Sequence, residues 1–103
     1  MITLWVRDPS LSYIMQGTKT VEGRLLKPIF DQIKKGDTIC FNNMFTKKVK
    51  YVKIYSSFDE MLCSEKISRV MPMIDNHQVA VKKYHEIYRN KIGVYKVIAI
   101  CLI

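Results

Sequence analysis

The stretch GTKTVEGR, residues 17–24, decides how the chain folds, because the hydrophobic pattern changes inside it. Upstream, Leu11, Ile14 and Met15 recur at helical spacing behind Asp8-Pro9, an aspartate cap followed by a residue preset for a first turn. Gly17 supplies the left-handed stop. Downstream the period becomes two, with Thr20, Glu22 and Arg24 on one face and Val21, Gly23 and Leu25 on the other. A helix therefore delivers the chain straight into a strand. Lys19, Glu22 and Arg24 gather at that corner. Glu22 and Arg24 share a strand face and can form a charge-assisted pair. Such a trio either pins a corner or forms a working site.

The flanking segments supply the rest of a small domain. ITLWVR (2–7) and TICFNNM (38–44) predict strands, the second entered through a turn at KKGD (34–37). Pro28, Ile29, Phe30 and Ile33 predict a helical turn between them. KKVKYVKIYSSF (47–58) alternates basic and apolar residues. It predicts a long strand, kinked or bulged where the alternation slips, with Val49, Tyr51, Val52 and Ile54 as candidates for burial. Ser57-Phe58-Asp59-Glu60 has capping-box spacing, so a helix begins there with Met61 and Leu62 facing inward. After a break at Met71-Pro72, residues 76–90 carry a second helical pattern. Ala80, Tyr84, Ile87 and Tyr88 form its apolar stripe, and Lys82 and Lys83 fall on its surface. VYKVIAICLI (94–103) predicts a strand buried on both faces over most of its length. This order gives an α+β fold: a small mixed β-barrel of about five or six strands with helices packed across its ends. The chain lacks repeats and linkers, and its 103 residues form a single domain.

Charge narrows the choice of partner. Seventeen Lys and Arg against nine Asp and Glu give a formal charge of +8, which favours a polyanion, with nucleic acid ahead of an acidic membrane surface. A basic protein without such a partner is the plainer alternative. Cys40, Cys63 and Cys101 are odd in number and scattered, which reads as buried thiols in a reducing compartment. His77 and His85 have no C-x-x-C or H-x-x-x-H beside them, so their spacing predicts solvent-facing helix positions and no metal site. The N-terminal apolar run is too short for a signal peptide, and nothing has bilayer-spanning length. The expectation is a cytoplasmic or nuclear protein that is not secreted and needs no cofactor. Oligomeric state is not legible.

GTKTVEGR fits G-x-K-x-x-E-x-R and resembles the signature of the ASCH domain family. The likeness continues in KKGDTICFNN, in YSSFDEMLCSE and in the closing IGVYKVIAI, in the family's order and over nearly the whole chain. The resemblance implies a PUA-like β-barrel that binds RNA or a nucleotide-like ligand in a cleft between barrel and first helix, with roles in RNA processing or translation. Small bacterial relatives are similar to amidohydrolases that deacetylate N4-acetylcytidine with the motif lysine as nucleophile. Those relatives carry a threonine at the position of Glu22 and a glutamate before the last long helix. Here VMPMIDNHQVA (70–80) offers Asp75 and no glutamate, and Met73 stands where many members have glycine.

The candidate ligand-binding residues are Lys19, Glu22, Arg24, Trp5, Arg7, Lys48 and Lys50. Glu22 can accept a hydrogen bond from the exocyclic amine of cytosine or adenine while Lys19 and Arg24 meet phosphate or a carbonyl oxygen. Trp5 can stack on a base or belong to the core. Lys48 and Lys50, with Lys47 and Lys53, offer a backbone-tracking strand in which Tyr51 and Tyr55 are interleaved. Tyr84 and Tyr88, at i and i+4, read as core. If the chain is an enzyme, the catalytic candidates are Lys19 as nucleophile and Glu22 as its acid–base partner. A protein-interaction module without nucleic acid is the third reading.

Overall fold

A computed structural model describes residues 1–103. The strands are β1 (Ile2–Leu4), β2 (Val21–Leu25), β3 (Thr38–Phe41), β4 (Phe45–Tyr55) and β5 (Val97–Leu102). The helices are α1 (Ser10–Gln16), α2 (Phe58–Ser64), α3 (Ile67–Val70) and α4 (His77–Ile87), with one 3₁₀ turn at Pro28–Phe30. The strands form one curled sheet in the order β1-β3-β4-β5-β2. All pairs are antiparallel except β1 with β3. This is the α+β architecture expected, with five strands in the PUA-like barrel.

β4 makes the curl. Its first residues pair with β3 (Thr38↔Lys48), and from Val49 onward it pairs with β5. A bulge between Val49 and Tyr51 inserts Lys50 without a partner and reverses which side odd-numbered residues face. Val49 consequently enters the barrel-side core, whereas Tyr51 and Tyr55 turn to the helical side. Ile54, expected to be buried, is 46% exposed near the strand's end, and Tyr55 is buried in its place. β5 is buried along its whole length. Val97, Ala99 and Cys101 face α2, α3 and α4, while Ile98, Ile100 and Leu102 face the barrel interior with α1 residues Leu11 and Ile14.

Several boundaries differ from expectation for local reasons. β1 stops at Leu4 because β3 ends at Phe41. The Asn42 side chain then takes over, accepting from Val6 N at 2.9 Å and donating to Val6 O at 3.0 Å. Asn42 and Asn43 have φ of 53° and 56°, so they form a hairpin turn and do not continue the strand. Asp8 caps α1 through Ser12 N at 3.0 Å, but Pro9 occupies the N-cap position and the helix starts at Ser10. Gly17 closes α1 at φ 84°, as anticipated. Ser57 accepts from Glu60 N at 3.1 Å and Asn76 from Val79 N at 3.1 Å, which caps α2 and α4. Ile87 is exposed, so the inner stripe of α4 is carried by Ala80 and Tyr84. Gly93, at φ 84°, delays the last strand to Val97. Of the cysteines only Cys101 is buried; Cys40 is half-buried and Cys63 exposed. No helix is long and apolar enough to cross a membrane.

The interleaved tyrosines of β4 point to a buried carboxylate. Glu65, at the end of α2, accepts from Tyr51 at 2.7 Å and from Tyr55 at 2.6 Å. Burial, then the bond to Glu65, pushes the Tyr55 hydroxyl up to about 12. The bond to Glu65, then burial, raises Tyr51, and burial raises Tyr84 and Tyr88. In the unfolded chain a tyrosine loses its proton near about pH 10. The folded state keeps that proton to higher pH, so its stabilising effect is complete below about pH 10 and is lost as pH rises further. Lys19, whose pKa is lowered by burial, acts in the opposite sense, but it is one group against four. Melting temperature is expected to fall steeply above about pH 10. Tyr55→Phe should flatten that fall, and an unchanged slope would exclude Tyr55 as a contributor.

Candidate ligand-binding site

The corner between α1 and β2 is tied by three backbone hydrogen bonds to two carbonyls. Lys19 N and Thr18 N donate to Tyr13 O at 3.0 and 2.9 Å, and Thr20 N donates to Arg69 O at 3.0 Å. These bonds aim the Lys19 side chain inward, where it is 3% exposed. Its Nζ donates to Val21 O at 2.8 Å, to Val70 O, and lies 3.3 Å from Glu22 Oε1. All three ammonium N–H groups thus have acceptors. Arg24 Nε holds the other Glu22 oxygen at 2.9 Å, and its terminal nitrogen reaches Trp5 O at 3.0 Å. Glu22, 7% exposed, is therefore a carboxylate clamped between two cations.

Burial lowers the pKa of Lys19, and Glu22 partly opposes that shift. In Tyr84, burial and then the neighbouring Glu22 charge raise the pKa. The Tyr84 hydroxyl reaches the motif because Gly23 has no side chain. A Cβ there would stand 2.8 Å from that oxygen and 2.9 Å from Met61 Cε. The second glycine of GTKTVEGR, Gly23, is thus a requirement of close approach.

These groups line a cavity of about 660 Å³ between β2, α4, the β1–α1 connection and residues 71–74. Lys19, Glu22, Gly23 and Arg24 line one side. Trp5 and Arg7 enter from the β1–α1 connection, and Lys83, Tyr84, Ile87 and Tyr88 from α4. Trp5 is 63% exposed and outside the core, which leaves its ring free at the wall.

Five of the seven sequence candidates meet at this cavity: Lys19, Glu22, Arg24, Trp5 and Arg7. Lys48 and Lys50 are exposed on β4 and do not line it. Tyr51 and Tyr55 are bonded to Glu65 and so unavailable as a stacking strip beside those lysines. Asp75 is also absent from the lining. Lys19 lies deeper than a phosphate contact requires. Arg7 and Lys83, both exposed, are the cations placed to meet an anion. By sequence, Lys83 reads as ordinary helix surface and Tyr84 and Tyr88 as core. The signal that unites them is i, i+1, i+4, i+5 spacing, with Ile87 completing the face. The acceptor at Val70 O left no signal, since it is a backbone atom 51 residues from Lys19.

The sequence model of the ASCH domain matches residues 4–102. The structure resembles the crystal structure of hypothetical protein PH0355, with TM-score 0.90 and 35% identity over 97% of this chain and 94% of the other. It also resembles the solution NMR structure of protein PF0455 from Pyrococcus furiosus, with TM-score 0.80 and 30% identity over 98% of this chain and 94% of that one. No curated protein matched the chain.

Proposed function

The chain belongs to the ASCH domain family, and from that premise we propose that it binds RNA or a nucleotide-like ligand in the cavity beside β2. The observation that carries this reading is the pairing of a buried, doubly clamped carboxylate with aromatic walls in one hollow. A cavity of about 660 Å³ lies within the usual range for small-ligand pockets and has room for a nucleoside with its phosphate. Glu22 retains lone pairs beyond those used by Lys19 and Arg24, and can accept from an exocyclic base amine. Trp5 offers a face for stacking. Arg7 and Lys83 supply phosphate contacts, in keeping with the net charge of +8.

Anisotropy of a labelled single-stranded RNA, measured across salt concentrations, tests this reading. Affinity is expected to fall with salt, with a log–log slope that shrinks by about 0.7 for each of Arg7→Ala and Lys83→Ala. Trp5→Ala should lose about 1–3 kcal/mol without changing the slope. Binding indifferent to salt and to all three substitutions would point instead to a protein partner.

One observation favours a second reading, an amidohydrolase acting on an acylated nucleoside such as N4-acetylcytidine. Burial lowers the Lys19 pKa while a carboxylate stands 3.3 Å away. Transfer of one Nζ proton to Glu22 would give Lys19 a lone pair on the Glu22 side. That amine would attack the acetyl carbon, the proton would pass to the departing base nitrogen, and water would release acetate from the lysine. Turnover of N4-acetylcytidine that disappears in Lys19→Met would support this reading. Turnover that persists in that variant, or none in the wild type, would remove it.

A further inference from the structure

A separate cluster of metal-ligating side chains lies between α2 and α4, and none of its members lines the cavity. Asp59 and Cys63 are one helical turn apart on α2, at i and i+4, so both side chains leave the same face. His77, the first residue of α4, is brought beside them, its Nε2 lying 2.7 Å from Asp59 Oδ1. A carboxylate oxygen, the thiol sulfur and an imidazole nitrogen all lie within 4.8 Å of one another. Ligand bonds of about 2.0 to 2.3 Å in a tetrahedral zinc site put its donor atoms roughly 3.3–3.8 Å apart. Asp59 and Cys63 are exposed, so their side chains have room to rotate toward that spacing, Asp59 exchanging its contact with His77 for the ion. His77 already holds its ring toward the carboxylate.

The donor set selects the ion. Calcium and magnesium take cages of oxygen, whereas a thiolate with an imidazole suits zinc and its first-row neighbours. The spacing of His77 and His85 predicts no site, because these ligands are separated by 14 residues and by all of α3. We propose that Asp59, Cys63 and His77 bind a zinc-type divalent ion through three protein ligands, with a fourth position open to water, and that the ion fastens α2 to α4. This fastening lies on the elements that carry Phe58 and Tyr84, so the ion would stiffen the layer behind the cavity wall.

Cobalt(II) titration of the reduced, metal-free protein tests the proposal. One equivalent per chain is expected to produce a thiolate-to-cobalt charge-transfer band and the intense visible bands of a tetrahedral centre. Zinc should erase them. Zinc alone should also raise the melting temperature. Cys63→Ser should remove the charge-transfer band, and His77→Ala should lower cobalt affinity at least tenfold. Both positions are on the periphery, and circular dichroism will show that the variants fold. Cys40→Ser should leave the spectrum unchanged. Absence of a thiolate band, or a band that survives Cys63→Ser, would overturn the assignment.

Discussion

Glu22→Ala is expected to destabilise the fold by about 3–5 kcal/mol, the usual cost of stripping one partner from a buried charge pair. Lys19 cannot escape to water, being 3% exposed, and its remaining acceptors are the neutral carbonyls of Val21 and Val70. Arg24 loses its Nε acceptor but keeps Trp5 O. Lys19→Met should cost less, about 1–3 kcal/mol, because it removes a charge whose burial is unfavourable and leaves Glu22 paired with Arg24. The double variant should then cost clearly less than the sum of the singles, since the stranded ammonium is gone. Urea unfolding of the four proteins measures this coupling. Strict additivity would mean that the two side chains do not share a buried charge balance. On the proposed reading, in which Glu22 accepts from a base edge, RNA affinity should be lost in Glu22→Ala even at temperatures where the variant remains folded.

Much of the frame was legible because it follows from local chemistry. Period-two alternation from Thr20 to Leu25 describes β2 correctly, and the Ser57 box marks the start of α2. β5 reads as buried on both faces because it is apolar at every position, and it is. The failures share a cause, which is that tertiary partners set the outcome. The bulge at Lys50 turns Tyr51 and Tyr55 to the helical side, and Ile54 lies out because its strand is ending there, although the sequence shows only that the alternation slips. Glu65 looks like any acidic residue until two tyrosines from β4 close over it. The Asn42-Asn43 turn did have a signal, since asparagine tolerates positive φ, but the apolar run on either side masked it. In the site, the Glu22–Arg24 pair was visible from i, i+2 geometry on one strand, and Lys19 from its place at the corner that feeds it. The wall opposite was not, because Lys83, Tyr84 and Tyr88 reach the motif only through the packing of α4.

Phe58→Ala is expected to cost about 3–5 kcal/mol and to weaken ligand binding from a position that does not line the cavity. Phe58 is 1% exposed at the first turn of α2. Its ring lies parallel to Tyr84, with centroids 4.1 Å apart and planes at 5°, and to Tyr88 at 5.5 Å and 7°. Both tyrosines line the cavity, and Tyr84 is held with its hydroxyl against Gly23. Emptying the space behind them removes aromatic contacts worth about 0.5–1.5 kcal/mol each beyond area burial, and leaves a void that the rings can enter. Tyr84 would then no longer be fixed beside Glu22. Phe58→Leu fills much of the void without the stacking, so it should fall between wild type and alanine in stability and in affinity. RNA affinity is to be compared where circular dichroism shows all three proteins folded. Equal affinity in the folded fractions would mean that the Phe58 stack supports the core alone, and that Tyr84 and Tyr88 keep their places at the cavity without it.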